Sequence, residues 1–196
     1  MNYTIIYNHP YTKSYCNAIL KATTTGLQSA GHNIDIIDLD TDRFNPVMTS
    51  SDLKAFRDKQ AIDPQVLNYQ ERLLKADHLI FIFPIWWSLM PAMTKGFIDK
   101  VMFPGLAYDY TFNGITMIPL LTNIRSITLI TTMNTPKLIY RLKFANAIKK
   151  ALIDGTFKMM GYKNCHWINF SMVKFVSQDK RSKWLTKLEQ RYSKPK

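Results

Sequence analysis

Five short apolar runs punctuate the chain, and helix-period stretches separate them. The runs are Tyr3–Tyr7 (YTIIY), Asn33–Leu39 (NIDIIDL), Leu79–Phe83 (LIFIF), Arg125–Thr132 (RSITLITT) and His166–Phe170 (HWINF). The second alternates like a half-buried strand, whereas the third is apolar throughout, the pattern of a strand covered on both faces. Between them the spacing predicts helices over Tyr15–Ala30 (closed by Gly31), about Pro64–Ala76, from Pro91 onwards, about Leu138–Met160 and Asp179–Tyr192. The segment Phe44–Asp63 is irregular, apart from a short helix capped at Ser50-Ser51-Asp52. Strands alternating with helices predict an α/β fold: a doubly wound parallel sheet with helices on both faces. Five strands favour the flavodoxin-like order 2-1-3-4-5, in one domain spanning 1–196.

That order places the first, third and fourth strands side by side in the middle. Their carboxyl-end loops, His9–Tyr15, Pro84–Ser88 and Thr131–Pro136, then converge on one crevice, where open α/β sheets bind ligands. The first loop leads into a helix N-terminus, whose unpaired N–H groups and dipole attract an anion. Thr12, Ser14 and Asn17 add polar side chains there, although an ordinary N-cap at Ser14 accounts for the same pattern. The second loop carries Trp86 and Trp87 directly after Ile85, an apolar wall suited to a planar ring. The third offers the hydroxyls of Thr131 and Thr132 with Asn134. A phosphate, a planar heterocycle and donors at its edge together describe a flavin nucleotide, with another nucleotide as the alternative.

The net charge of +12 is uneven: residues 1–136 are balanced, and residues 137–196 carry the whole excess. The basic residues are spread along amphipathic helices rather than grouped with stacking aromatics. A solvated face that steers anionic ligands therefore fits better than a nucleic-acid surface. Two distant cysteines, Cys16 and Cys165, suit a reducing cytoplasm. No secretory signal opens the chain, and no apolar run reaches the ~20 residues of a membrane span. There is no GxGxxG after the first strand, no phosphate-binding GxxxxGK[ST], no GxSxG elbow and no histidine spacing that suggests a metal.

The run FPIWWSLMPAMTKGFIDKVMFPGLAYDY (83–110) resembles the NAD(P)H:quinone oxidoreductase family, the DT-diaphorases and their bacterial relatives. His9-Pro10 with Ser14 and Asn17, Phe44-Asn45-Pro46, Thr131-Thr132, and Arg181 with Leu185 extend the match over nearly the whole chain. The resemblance implies a bound flavin, FAD before FMN, that receives hydride from NAD(P)H and passes it to a quinone or similar acceptor at the same site. It implies that His9, Thr12, Ser14, Tyr15 and Asn17 hold the phosphate end, and that Pro84, Ile85, Trp86, Trp87 and Ser88 lie along the ring. Thr131, Thr132, Met133 and Asn134 would flank the pyrimidine edge, and Arg181 and Leu185 would meet an adenylate. Trp87, Tyr108 and Tyr110 would shape the substrate pocket, the tyrosines reaching across a homodimer whose apolar face is Met90–Met102. Two departures stand out. Met133-Asn134 replaces the glycine pair of mammalian members. Of the Tyr and His that those members use as a charge relay beyond this loop, Tyr140 lies within one position of the Tyr, while no histidine stands between Ile139 and Cys165. A relay here would need Tyr140, the candidate catalytic group, or backbone N–H groups or water. Some relatives regulate membrane transport proteins, which gives an alternative role as a flavin-binding ancillary subunit without membrane insertion.

Overall fold

The computed structural model describes residues 1–112 and 114–194. Its main sheet joins β1 (Asn2–Tyr7), β2 (Asn33–Asp38), β3 (His78–Pro84), β6 (Ser126–Thr132) and β7 (Cys165–Phe170) in the order β2-β1-β3-β6-β7, all parallel. This is the order 2-1-3-4-5 read from the five runs. Every residue of β3 and β6 is buried, as central strands between two helical layers require, while the edge strands β2 and β7 are only half covered.

The two-residue period of the strands divides the core. Leu79, Phe81 and Phe83 face a large cluster with Phe97, Leu129 and Phe157. Ile80 and Ile82 face the opposite side, with Ile5, Ile19, Leu27 and Leu188. On this second face α1 (Tyr15–Ser29) lies against α6 (Gln178–Tyr192). Their approach needs Gly26, because a Cβ there would sit 2.5 Å from the Glu189 carbonyl oxygen.

The other face carries α2 (Ser50–Asp58), α3 (Pro64–Leu74) and α4 (Ala92–Val101). One buried cation ties them together. The Lys100 ammonium lies 3.3 Å from Asp63, the N-cap of α3, and 3.6 Å from Asp52 in the first turn of α2. Gly96 lets the Phe44-Asn45-Pro46 turn pack onto α4, since a Cβ would come within 2.4 Å of three Pro46 atoms.

Two local expectations need correction. Pro91 is the N-cap of α4 rather than a residue inside it. A small antiparallel hairpin, β4 (Tyr108–Tyr110) with β5 (Met117–Pro119), stands apart from the main sheet. The long helix over 138–160 is instead α5 (Lys137–Lys143), a break, and a π-helix over Lys149–Phe157. The break falls at Ala145 and Asn146, both left-handed with φ of 50° and 53°, a conformation no right-handed helix passes through.

Candidate active site

The loops after β1, β3 and β6 do converge. They enclose a cleft of about 550 Å³ together with the segment that follows β7 and the first turns of α6. The floor is set by the sheet: Ile85 N–H donates to the Thr132 carbonyl at 2.7 Å, and Met133 N–H donates to Phe170 at 2.9 Å. Asn134 Oδ1 accepts from the Lys174 amide at 3.0 Å and fastens the β7–α6 loop to the β6 loop.

At the α1 end, Ser14 caps the helix by accepting from the Asn17 amide at 3.1 Å. The Tyr7 hydroxyl is buried beside Ser14 and Asn17 and makes no hydrogen bond of good geometry, so a polar atom is left over beneath this turn. His9 Nδ1 accepts the Tyr11 amide at 3.0 Å, which places the ring proton of the neutral form on Nε2. Burial lowers the His9 pKa against the pull of Asp40, and the neutral ring is the form that can accept this bond. The Tyr15 hydroxyl donates to the Arg181 carbonyl at 2.9 Å and links α1 to α6. Lys13, Lys174 and Arg181 line the cleft, and no lining residue is a carboxylate. That electrostatic balance favours an anionic ligand.

The wall after β3 is a two-residue hairpin. Trp86 N–H donates to Leu89 at 2.9 Å, and Leu89 N–H donates back at 3.0 Å. Between them Trp87 and Ser88 are both left-handed, with φ of 47° and 68°. Such turns favour Asn-Gly; here a tryptophan adopts the strained conformation with its side chain 99% exposed. Among the described residues the amides of Trp87 and Ser88 find no protein acceptor.

Of the residues singled out in the sequence, His9, Ser14, Tyr15, Pro84, Ile85, Trp86, Thr132, Met133, Asn134, Arg181 and Leu185 line the cleft. Thr12, Asn17, Trp87 and Ser88 are not among the residues that line it. Thr131 faces the opposite side of β6: its hydroxyl donates to Asn169 and accepts from the Trp167 ring N–H, both at 2.9 Å. Tyr140 also lies outside the cleft. It is 1% exposed, and its hydroxyl donates to the Ser88 carbonyl at 2.8 Å while accepting the Ile148 amide at 2.9 Å. Tyr108 and Tyr110 sit on the hairpin, and Tyr108 lines a second, apolar groove of about 490 Å³ with Met48, Met90, Ile98, Met102 and Met160. Lys13, Ala18, Val173, Lys174 and Gln178 were not foreseen. Arg181 and Leu185 were the only signal in the sequence that this end of α6 belonged to the site.

A family model described as a flavodoxin-like fold matches residues 1–194. The chain belongs to the flavodoxin-like family. Its relatives bear out the resemblance read from the central run. An uncharacterized NAD(P)H oxidoreductase of Haemophilus influenzae is 28% identical over 182 residues, 92% of this chain and 89% of that protein. A ribosyldihydronicotinamide dehydrogenase [quinone] of Rattus norvegicus is 28% identical over 54% of this chain, which spans about half that relative's length. The crystal structure of Smu.1420 from Streptococcus mutans UA159 superposes with a TM-score of 0.87 at 34% identity, covering 98% of this chain and 99% of that one. An NAD(P)H:quinone oxidoreductase from Methanothermobacter marburgensis gives 0.87 at 24% identity, covering 98% of both chains. An FMN-dependent NADH-azoreductase from Bacillus anthracis, solved with FMN, gives 0.73 at 16% over 98% and 97%. The last two are likenesses of fold.

Among the described residues no helix is long and apolar enough to cross a membrane, and no group of histidine, cysteine and carboxylate side chains is placed to hold a metal.

Proposed function

We propose that the chain is a flavin-dependent NAD(P)H:quinone-type oxidoreductase, with a quinone or similar small molecule as the terminal acceptor. The cleft carries this reading: a helix N-terminus and three cations without a carboxylate line it together with Trp86, the first residue of a turn whose next two amides are unused. A flavin supplies the hydride chemistry when bound, and the protein's part is to hold it, orient it and set its electrostatics.

The α1 N-terminus, with Ser14, Lys13 and the neutral His9, suits the phosphate end. Ile85, Trp86 and the Trp87–Ser88 amides suit the ring and its polar edge, and Thr132 with Met133 and Asn134 suits the opposite edge. The cleft continues past the phosphate region to Lys174, Gln178, Arg181 and Leu185, which favours FAD, with FMN the second choice. The FMN in the Bacillus azoreductase is the counterweight.

The second groove, methionine-rich and apolar, runs beside α4, between Met90 before the helix and Met102 at its C-cap, and fits the proposed homodimer face. Tyr110, 43% exposed, has more surface left for a partner's site than the buried Tyr108. Two free cysteines fit a reducing cytoplasm. Nothing in the relatives favours the transport-subunit role.

The test is the visible spectrum of the purified protein. A flavin band that bleaches with NADPH and returns with menadione supports the reading, and the mass of the heat-released flavin separates FAD from FMN. A protein that takes up neither flavin refutes it. Sedimentation velocity then reports the dimer.

A further inference from the structure

The left-handed Trp87–Ser88 turn has no internal reason to be stable. Neither residue is glycine or asparagine, and the Trp87 side chain packs on nothing within the chain. Two non-glycine residues in this region together represent considerable strain, held only where the surroundings enforce it. One contact from outside the hairpin does so: the buried Tyr140 hydroxyl donates to the Ser88 carbonyl.

That hydroxyl is fully used. It has one proton, given to Ser88, and it accepts the amide of Ile148, the N-cap residue of the π-helix. The ring is fixed between Phe144 and Trp167, with centroids 6.2 and 6.1 Å away. Ile148 in turn follows the second left-handed pair, Ala145–Asn146, and the Asn146 amide returns to the Tyr140 carbonyl at 3.1 Å. Tyr140 thus stands between two strained turns and touches both, and it does not line the cleft.

We infer that Tyr140 is a positioning residue, a strut that locks the Trp86–Leu89 turn in its left-handed form and so sets the wall of the cleft, rather than a group that gives or takes a proton in the reaction. The effect on turnover rests on the oxidoreductase reading; the effect on the turn does not. A proton relay needs its hydroxyl at the reacting atoms, whereas a strut needs it at Ser88.

The experiment compares Tyr140→Phe with the double variant Tyr140→Phe/Ser88→Gly. Glycine adopts a φ of 68° without penalty and keeps both backbone groups of position 88, so it holds the turn when the strut is gone. In the protein without added cofactor, amide exchange at Leu89 and Ile148 is expected to rise about 10-fold or more in Tyr140→Phe, beyond any change in global stability. The double variant is expected to restore Leu89 protection.

In turnover with NADPH and menadione, Tyr140→Phe is expected to raise KM about 5- to 100-fold, with the pH profile of kcat unchanged in shape. Ser88→Gly in the same chain is expected to recover most of that loss, which no backbone change does for a missing proton donor. Unchanged Leu89 exchange overturns the strut. A kcat loss with an altered pH limb and no rescue overturns it in favour of a relay. If neither variant folds, Tyr140 is simply a core residue and the inference fails. If exchange behaves as expected but no variant, nor the natural chain, binds flavin or turns over, the strut stands and the oxidoreductase reading falls.

Discussion

Trp87→Gly should change stability and function in opposite directions. In most folds removing a tryptophan costs about 3–5 kcal/mol, because a buried ring leaves a cavity. Here the ring is 99% exposed and leaves none. Its backbone sits at φ 47°, a conformation that costs an L side chain roughly 1–2 kcal/mol and glycine almost nothing. Glycine gives back about 0.5–1 kcal/mol through the greater freedom of its unfolded chain. The net expectation for the protein without cofactor is therefore between about neutral and ~1.5 kcal/mol more stable, read as the urea midpoint at constant m-value. If the Trp87 ring is a stacking surface for the proposed flavin, base–aromatic stacking of this kind contributes about 1–3 kcal/mol, so binding should weaken about 5- to 140-fold. Isothermal titration of each variant with FAD measures it. A destabilisation beyond about 1 kcal/mol would show that the tryptophan packs on something within the fold. Unchanged flavin affinity would show that the strain serves no ligand.

Lys100→Met strands two carboxylates that are still partly hydrated, with side chains 13% and 30% exposed. The expected loss is about 2–3 kcal/mol, at the lower end for a broken buried pair, or roughly 5–10 °C in Tm by calorimetry. Asp52 is partly desolvated, yet the Thr49 amide and hydroxyl and the Lys100 ammonium hold its pKa below 3.8. Its contribution is thus complete above the ordinary carboxylate pKa and is lost as pH falls through the lowered value; Asp52→Asn should flatten the acid limb of stability against pH. Burial pushes the Cys16 thiol up to about 12 and Cys165 to about 11, so iodoacetamide at pH 8 should label neither in the native protein and both in urea, by intact mass. Gly96→Ala drives a methyl into Pro46 and should destabilise by about 1–3 kcal/mol in the same urea assay.

The sheet was legible because burial on both faces leaves a dense apolar signature, and the order followed once five strands alternated with helices. The hairpin was not: Tyr108–Tyr110 and Met117–Pro119 are three residues each, too short for a period to show. The break after α5 was hidden for a different reason. Ala145 is a strong helix former, and nothing local announces that it takes a left-handed conformation; the constraint comes from Tyr140 and its partners in three dimensions.

At the site, the loops could be read from topology, but individual side chains could not. Thr131 and Thr132 look equivalent as a pair, yet successive strand residues face opposite ways, so only Thr132 reaches the cleft. The Val173–Gln178 wall follows an edge strand, and sequence reasoning gave it no part in the crevice.

The helix α6 joins two duties along one rod. Its first turns, with Gln178, Arg181 and Leu185, border the cleft, while Leu188 and Tyr192 close the core against α1 at Gly26. A ligand gripping the near end therefore holds down the far end as well, and opening of this helix would require the ligand to leave first. The protein's lifetime in a cell would then track the supply of its ligand: chains that remain empty would be cut by proteases at this flank sooner than filled ones, and abundance would be regulated without any change in synthesis.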